Sequence, residues 1–146
     1  MLSQPLLAHL AVLRGGKPHV SPVWVYYEGG SLYFTTRTGR VKGSAIRENP
    51  EVSFSVATDT NPYRAIMVEG RAELVGEGTW HWLEKIVGKY VTSRLGKKEG
   101  ERVLDSWKGE TDRVVFVVRP SRILSWNYGR GDLQKQDQGI SMATRF

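Results

Sequence analysis

The sequence contains no cysteine, and no apolar run in it is long enough to cross a membrane. The first absence excludes disulfide bonds, thiolate metal sites and cysteine nucleophiles, and nothing in the composition requires an oxidising compartment. The second argues against a transmembrane helix, which needs about 18 or more consecutive apolar residues. The N-terminal residues lack the charged and apolar regions of a signal peptide. These absences predict a cytoplasmic protein that does not act at a membrane.

Several familiar catalytic motifs are missing as well. The sequence has no Gly-x-Ser-x-Gly elbow, no Walker loop and no Gly-x-Gly-x-x-Gly. The three histidines, His9, His19 and His81, fall in different predicted elements without the spacing of a metal site, so we predict no bound metal. No side chain stands out as an acid or a base, and the sequence therefore assigns no catalytic residue.

The composition is that of an ordinary folded protein. Of the 146 residues, 40% are hydrophobic and 25% are charged, which argues against disorder. The length favours a single domain. We place that domain at residues 1–128 and a polar C-terminal tail at residues 129–146. Lys and Arg exceed Asp and Glu by 21 to 15, a net charge of +6. This excess either serves solubility or indicates an anionic partner such as a phosphate, a polycarboxylate, nucleic acid or a membrane surface.

Alternating apolar residues and turn signals predict a protein rich in strands. Gly-Gly pairs at residues 15–16 and 29–30 predict tight hairpins, and Pro120 is expected to break the last β-branched run. Pro22 falls within a strand and therefore predicts an edge, a bend or a bulge. The predicted strands are residues 6–13, 19–27, 32–37, 52–57, 65–75, 114–118 and 123–128.

Three segments have helical patterns instead. A short helix is predicted at residues 40–49, closed by Asn49-Pro50. A second spans residues 79–95, with Thr79 as a possible N-cap and Gly96 as a C-cap, and a third spans about 100–107. The helical insert thus covers about residues 78–108. Together these elements predict a mainly β domain, in which six or seven antiparallel strands close into a small barrel with peripheral helices.

The segment at residues 35–42, Thr-Thr-Arg-Thr-Gly-Arg-Val-Lys, contains three hydroxyls and three cations where a strand gives way to a helix. Phosphate binds to such groups, since hydroxyls donate hydrogen bonds, Arg and Lys supply charge, and a helix N-terminus favours an anion. A solvated cationic turn would have the same composition.

Aromatic residues are the second notable feature. They lie on or beside predicted strands, where most rings belong to a core. An aromatic-lined cavity beside a phosphate-binding segment would, however, suit a planar phosphorylated cofactor. The rings concerned are Trp24, Tyr26, Tyr27, Tyr63, Trp126 and Tyr128.

Five stretches, in this order, resemble the pyridoxamine 5'-phosphate oxidase-like split-barrel superfamily. They are residues 16–24 (Gly-Lys-Pro-His-Val-Ser-Pro-Val-Trp), 35–42, 46–54, 68–72 (Val-Glu-Gly-Arg-Ala) and the pair 119–122 and 125–126. The likeness covers about residues 5–128 and is greater to the flavin and deazaflavin oxidoreductase branch than to the oxidases. It implies a six-stranded antiparallel Greek-key split barrel of the FMN-binding type. It also implies a homodimer with two cofactors in grooves at the subunit interface.

The resemblance also assigns cofactor-binding positions. Arg40 and Lys42 match the family's phosphate-binding pair, with the hydroxyls of Thr35 and Thr36 beside them and Arg37 in the same basic segment. The strand that lies along the tricyclic ring matches Ser21, Pro22, Val23 and Trp24. Two aromatic positions complete the site: Tyr63, from the same or the other subunit, and Trp126 near the C-terminal end.

The function implied is hydride transfer to a small organic substrate, using a bound deazaflavin (coenzyme F420) or flavin mononucleotide (FMN). F420 carries several negative charges, so the net charge and the basic residues favour it: Arg37, Arg40, Lys42, Arg47 and Arg64. A non-catalytic flavin- or F420-binding or storage protein is the alternative. A nucleic-acid-binding barrel is less favoured, because the basic residues do not cluster on one strand face. The sequence does not indicate the substrate.

Overall fold

The structure is a computed structural model that describes residues 1–128. Within this range, seven antiparallel strands form one curled sheet, in the order β2-β1-β5-β6-β7-β4-β3. The strands are β1 Ala8–Arg14, β2 Lys17–Val23, β3 Val25–Glu28, β4 Ser31–Arg37, β5 Glu51–Ala57, β6 Arg64–Leu74 and β7 Arg113–Asn127. The predicted fold class, a mainly β split barrel, is confirmed.

There are seven strands where the resemblance implied six, because the predicted strand at 19–27 is divided. Trp24 separates β2, which pairs with β1, from β3, which pairs with β4. These partners lie towards opposite ends of the sheet, so the chain must leave one end and join the other at this residue. Pro22 lies on β2, an end strand of the sheet, where a residue without an N–H is tolerated.

The two Gly-Gly hairpins form as predicted. Arg14 pairs with Lys17 and Glu28 pairs with Ser31, which leaves two glycines in each loop. All four have positive φ, between 56° and 80°. Two successive positive φ values define the type I′ turn, whose twist matches that of the flanking strands.

The prediction that Pro120 ends a strand is wrong, because β7 runs through it without a break. The register between β6 and β7 shifts at this point, so that Gly70 faces Pro120 while Glu69 faces Arg122. Ser121 is thus the extra residue of a β-bulge, and its hydroxyl donates to the Glu69 carbonyl at 3.1 Å. The bulge accommodates a proline that cannot take part in regular pairing.

Helices pack against the sheet. α1 (Val41–Glu48) joins β4 to β5. Between β6 and β7 lie α2 (Thr79–Val87), a π-helical turn (Gly88–Thr92), α3 (Ser93–Leu95) and α4 (Lys97–Lys108). Thr79 is the first helical residue and not the predicted N-cap, which is Gly78, whereas Gly96 ends α3 as expected. No helix in residues 1–128 is long and apolar enough to cross a membrane.

The core is divided into two apolar clusters. The larger one fills the inside of the curled sheet, where Phe34 lies 5.5 Å from both Phe54 and Phe116 between ring centroids. The smaller one is centred on Ile86 and Tyr90 and packs the helices between β6 and β7 against Trp24 and Trp107. This second cluster holds the helical segment beside the start of β3.

Lys89, in the π-helical turn, ties the N-terminal residues to the sheet. Its ammonium donates to the carbonyl of Leu2 at 2.7 Å and to that of Val25 at 2.5 Å. The adjacent Tyr90 hydroxyl donates to the Leu6 carbonyl at 2.7 Å. Burial lowers the pKa of Lys89 to about 8, because the charged form loses its hydration.

Replacing Lys89 by Met should therefore change how stability depends on pH. Between a pKa of about 8 in the folded chain and 10.5 in the unfolded chain, the unfolded state binds more protons. The free energy of unfolding that Lys89 contributes thus rises with pH over this interval. Urea unfolding from pH 8 to 10.5 should show wild type gaining stability relative to Lys89→Met. The exposed Lys97→Met is the control, and an equal pH dependence in both variants would contradict this assignment.

Candidate functional site

A cleft of about 390 Å³ opens where β4 ends, α1 begins and β2 passes alongside. Six of the predicted site residues line it: Ser21, Thr35, Thr36, Arg37, Arg40 and Lys42. The structure therefore brings together residues from two segments, around residue 21 and from 35 to 42. Four further residues contribute to the lining: His19, Val41, Glu110 and Arg113.

The corner between β4 and α1 is held by backbone contacts. The Arg40 N–H donates to the Arg37 carbonyl at 2.9 Å, and the Thr38 N–H donates to the Asp112 carbonyl at 2.9 Å. A Cβ on Gly43 would lie only 2.5 Å from the Arg37 carbonyl oxygen, so glycine alone lets the first turn of α1 rest on the end of β4. This close approach places the N-terminus of α1 at the cleft.

Two cations of the cleft have no carboxylate partner in the part of the chain that the structure describes. The Lys42 ammonium donates to the Ser21 hydroxyl at 3.2 Å and to the Pro22 carbonyl at 3.4 Å. Burial and, secondly, the charge of Arg40 lower the pKa of Lys42. The Arg40 side chain makes no hydrogen bond or ion pair with the residues that the structure describes. An anion between the two would replace mutual repulsion by attraction.

The threonines of β4 differ in how their hydroxyls are used. Thr35 Oγ1 donates to the Val114 carbonyl at 2.8 Å and accepts from Arg113 Nη1 at 3.2 Å. Thr36 is only 4% exposed, and its Oγ1 is buried without any hydrogen-bond partner in residues 1–128. A buried hydroxyl without a partner is costly, so a polar group that reached this atom would be stabilising.

The other two cations of the cleft are neutralised. Arg37 Nε donates to Asp112 Oδ1 at 2.8 Å, and Arg113 Nε donates to Glu110 Oε2. The hydrogen bond from Arg37 lowers the pKa of Asp112, and the one from Arg113 lowers the pKa of Glu110. Both carboxylates are therefore ionised at neutral pH.

A smaller pocket of about 280 Å³ adjoins the cleft and shares Thr35, Lys42 and Arg113 with it. Its other lining residues are Leu7, Pro22, Val23, Trp24 and Trp107. The Arg113 guanidinium lies 4.2 Å from the centroid of the Trp107 ring. The Trp24 ring stacks on Tyr90 at 5.3 Å with an interplanar angle of 8°, which holds it against the helical segment. A cationic cleft thus continues into a pocket with aromatic walls.

Tyr63 and Trp126 lie away from this cleft. Tyr63 is in the loop between β5 and β6 and is 52% exposed, and Trp126 faces Ala65 in the pairing of β7 with β6. The Tyr128 N–H donates to the Tyr63 carbonyl at 2.8 Å, so these two positions are close to each other. The predicted C-terminal tail, residues 129–146, lies outside the described residues.

Besides Val41, which lies within the basic segment at 35–42, three lining residues were not predicted from the sequence. His19 lies two residues before Ser21 on β2, and the two-residue period of a strand places both on one face. Glu110 and Arg113 lie about seventy residues from the basic segment and join it only because Arg37 faces Arg113 in the register of β4 with β7. No group of three or more His, Asp or Glu side chains in residues 1–128 is arranged to hold a metal ion.

The curled antiparallel sheet, with a hydroxyl-lined cationic cleft at the first strand-to-helix corner, defines a split-barrel protein. The family model described as "Pyridoxamine 5'-phosphate oxidase" matches residues 1–127. The chain belongs to this family. No curated protein matches the sequence.

Solved structures give the same fold. An F420 reductase is 34% identical, with a TM-score of 0.65, covering 84% of this chain and 91% of that one. A FAD-binding protein from Mesorhizobium loti is 24% identical, with a TM-score of 0.58 and 82% of each chain covered. A heme storage protein from Vibrio cholerae is 15% identical, with a TM-score of 0.64, covering 84% and 87%. The neighbours thus include an oxidoreductase as well as proteins described only by what they bind or store.

Substituting Gly43 by Ala should destabilise the corner that forms the cleft. Alanine normally stabilises a helix interior relative to glycine by up to about 1 kcal/mol. At Gly43 the contact with the Arg37 carbonyl outweighs this gain, and we expect a net loss of about 1–3 kcal/mol. Gly88→Ala is the matched control, because a Cβ there meets nothing within 4 Å. Urea unfolding of both variants tests this, and equal stabilities would show that the corner tolerates a side chain.

Proposed function

We propose that the protein is an oxidoreductase that binds coenzyme F420 or FMN through its anionic group and transfers hydride to a small organic substrate. The observation that carries this proposal is a set of polar groups where β4 gives way to α1. Within residues 1–128, Arg40 and Lys42 have no carboxylate partner, and the buried Thr36 hydroxyl has no hydrogen bond. They lie beside a pocket with aromatic walls.

The residues present fit a phosphate group. Arg40 offers a planar fork of donors and Lys42 a compact charge, so the two can bind different oxygens. The Thr36 hydroxyl would gain the partner that it lacks in residues 1–128. α1 begins at Val41, so its first backbone N–H groups and its helix dipole favour an anion at this end.

The flat ring system would lie along the strand from Ser21 to Trp24, towards the adjoining pocket. Hydride transfer is chemistry that such a cofactor supplies when it is bound, while the protein binds and orients it. Pro22, Val23 and Trp24 offer an apolar wall that excludes water on this side. We assign no catalytic acid or base, and we expect the rate to depend mainly on proximity of the two reactants.

F420 is our first choice of cofactor and FMN the second. The 34% identity to an F420 reductase over most of both chains supports this order. FMN carries a single terminal phosphate, which the same cleft would also accommodate.

We also propose a homodimer with the cofactor at the subunit interface. Tyr63 and Trp126 lie away from the cleft of their own chain, so they would reach a cofactor only from the partner subunit. Val20, on the end strand β2, and Ile123, on β7, are exposed apolar residues of the kind that an interface would cover. We expect a cytoplasmic protein with no nucleic-acid or membrane partner.

Removing both free cations should abolish most cofactor binding. Charge-assisted hydrogen bonds contribute about 1.5–3 kcal/mol each, so the double variant Arg40→Ala, Lys42→Ala should bind about a hundredfold or more weakly. Absorbance titrations with F420 and with FMN, each added separately, would measure this and identify the preferred cofactor.

A double variant with the same change in charge controls for the net field of the protein. Lys97→Ala, Arg102→Ala removes two exposed cations from α4, and its binding should remain close to that of wild type. Unchanged affinity in the Arg40, Lys42 double variant would refute this site.

A non-catalytic binding or storage protein is the second candidate function. The absence of an obvious acid or base in the sequence is compatible with it, and the heme storage protein from Vibrio cholerae shares the fold. Steady turnover of an enone or quinone by the protein with reduced F420 or reduced FMN is the result that we expect. Tight binding of cofactor without turnover of any such acceptor would favour storage instead.

A further inference from the structure

The balance of charge in the cleft is set by residues that lie far from it in sequence. Four cationic side chains line the cleft: Arg37, Arg40, Lys42 and Arg113. The turn between α4 and β7 supplies two carboxylates, Glu110 to Arg113 and Asp112 to Arg37. Among residues 1–128, two positive charges of the cleft, those of Arg40 and Lys42, therefore have no carboxylate partner.

Both carboxylates are firmly placed. Glu110 follows the end of α4, where its N–H donates to the Trp107 carbonyl at 3.1 Å. Asp112 accepts from Arg37 Nε at 2.8 Å and, through Oδ2, from the Gly39 N–H at 3.4 Å. Glu110 lines the cleft, and Asp112 accepts from the residue next to Arg40, so an anion bound by Arg40 and Lys42 lies close to their negative charge.

We propose that Glu110 and Asp112 are specificity-determining residues that limit the anionic group held in the cleft to about two negative charges. This inference rests on the proposed function and specifies its ligand. A phosphate monoester matches the charge left over, whereas a longer polyphosphate is repelled by the two carboxylates. If the ligand is F420, the carboxylates of its tail lie outside this cleft.

Substituting Glu110 by Gln removes one negative charge while keeping an oxygen that can accept from Arg113. Repulsion scales with the charge of the ligand, and tripolyphosphate carries about twice the charge of inorganic phosphate. A gain of about threefold in affinity for phosphate should then correspond to about tenfold for tripolyphosphate. Isothermal titration calorimetry of the full chain with each anion, at constant ionic strength, measures both.

Two further variants complete the test. Glu101→Gln makes the same change in charge on an exposed face of α4 and should leave the ratio of the two affinities unchanged. Asp112→Asn removes one negative charge from the other ion pair. It should shift the ratio of the two affinities in the same direction as Glu110→Gln, and it serves as the test if Glu110→Gln folds poorly.

The outcomes distinguish this inference from the proposed function. A preferential gain for tripolyphosphate in the Glu110 and Asp112 variants supports it. Equal gains in affinity for both anions, or a change in the affinity ratio no larger than that of Glu101→Gln, would overturn the role of the two carboxylates. The phosphate site itself would then still stand. Binding of neither anion by the wild type, or binding that survives Arg40→Ala, Lys42→Ala, overturns the site and the inference together.

Discussion

The contact between Gly43 and the Arg37 carbonyl is the constraint on which the candidate site depends. It brings the first turn of α1 onto the end of β4, at a distance that excludes any Cβ. Because of this approach, Arg40 and Lys42, at the N-terminus of α1, line the same cleft as Thr36. The charges repel each other there, and within residues 1–128 no carboxylate pairs with either of them. Such an arrangement is typical of a site that is completed by an anion.

The helices between β6 and β7 contribute to the site indirectly. Their apolar cluster packs on Trp24, and Trp107 lies under the Arg113 guanidinium. The turn that follows α4 returns the chain to the start of β7 and carries the two carboxylates that pair with Arg37 and Arg113. The same segment thus supports the aromatic pocket and moderates the charge of the cleft.

Strand alternation and turn chemistry were sufficient to predict most of the fold, because both act over a few neighbouring residues. The Gly-Gly hairpins are an example, since positive φ at two successive positions specifies the turn and the pairing around it. The errors arose where distant pairing overrides local pattern. Trp24 lies in a continuous apolar run but separates strands with different partners, and Pro120 is held in β7 by a bulge opposite Gly70.

The sequence by itself determined the elements of the site that are close along the chain. Hydroxyls and cations within residues 35–42, at a strand-to-helix boundary, predicted an anion-binding corner, and the resemblance extended it to the strand around Ser21. Only the tertiary structure decided which charges remain free. Within residues 1–128, Arg37 and Arg113 are neutralised and Arg40 and Lys42 are not, because strand register and the turn after α4 bring Asp112 to Arg37 and Glu110 to Arg113. Electrostatic pairing depends on distance in space, which composition and spacing do not specify.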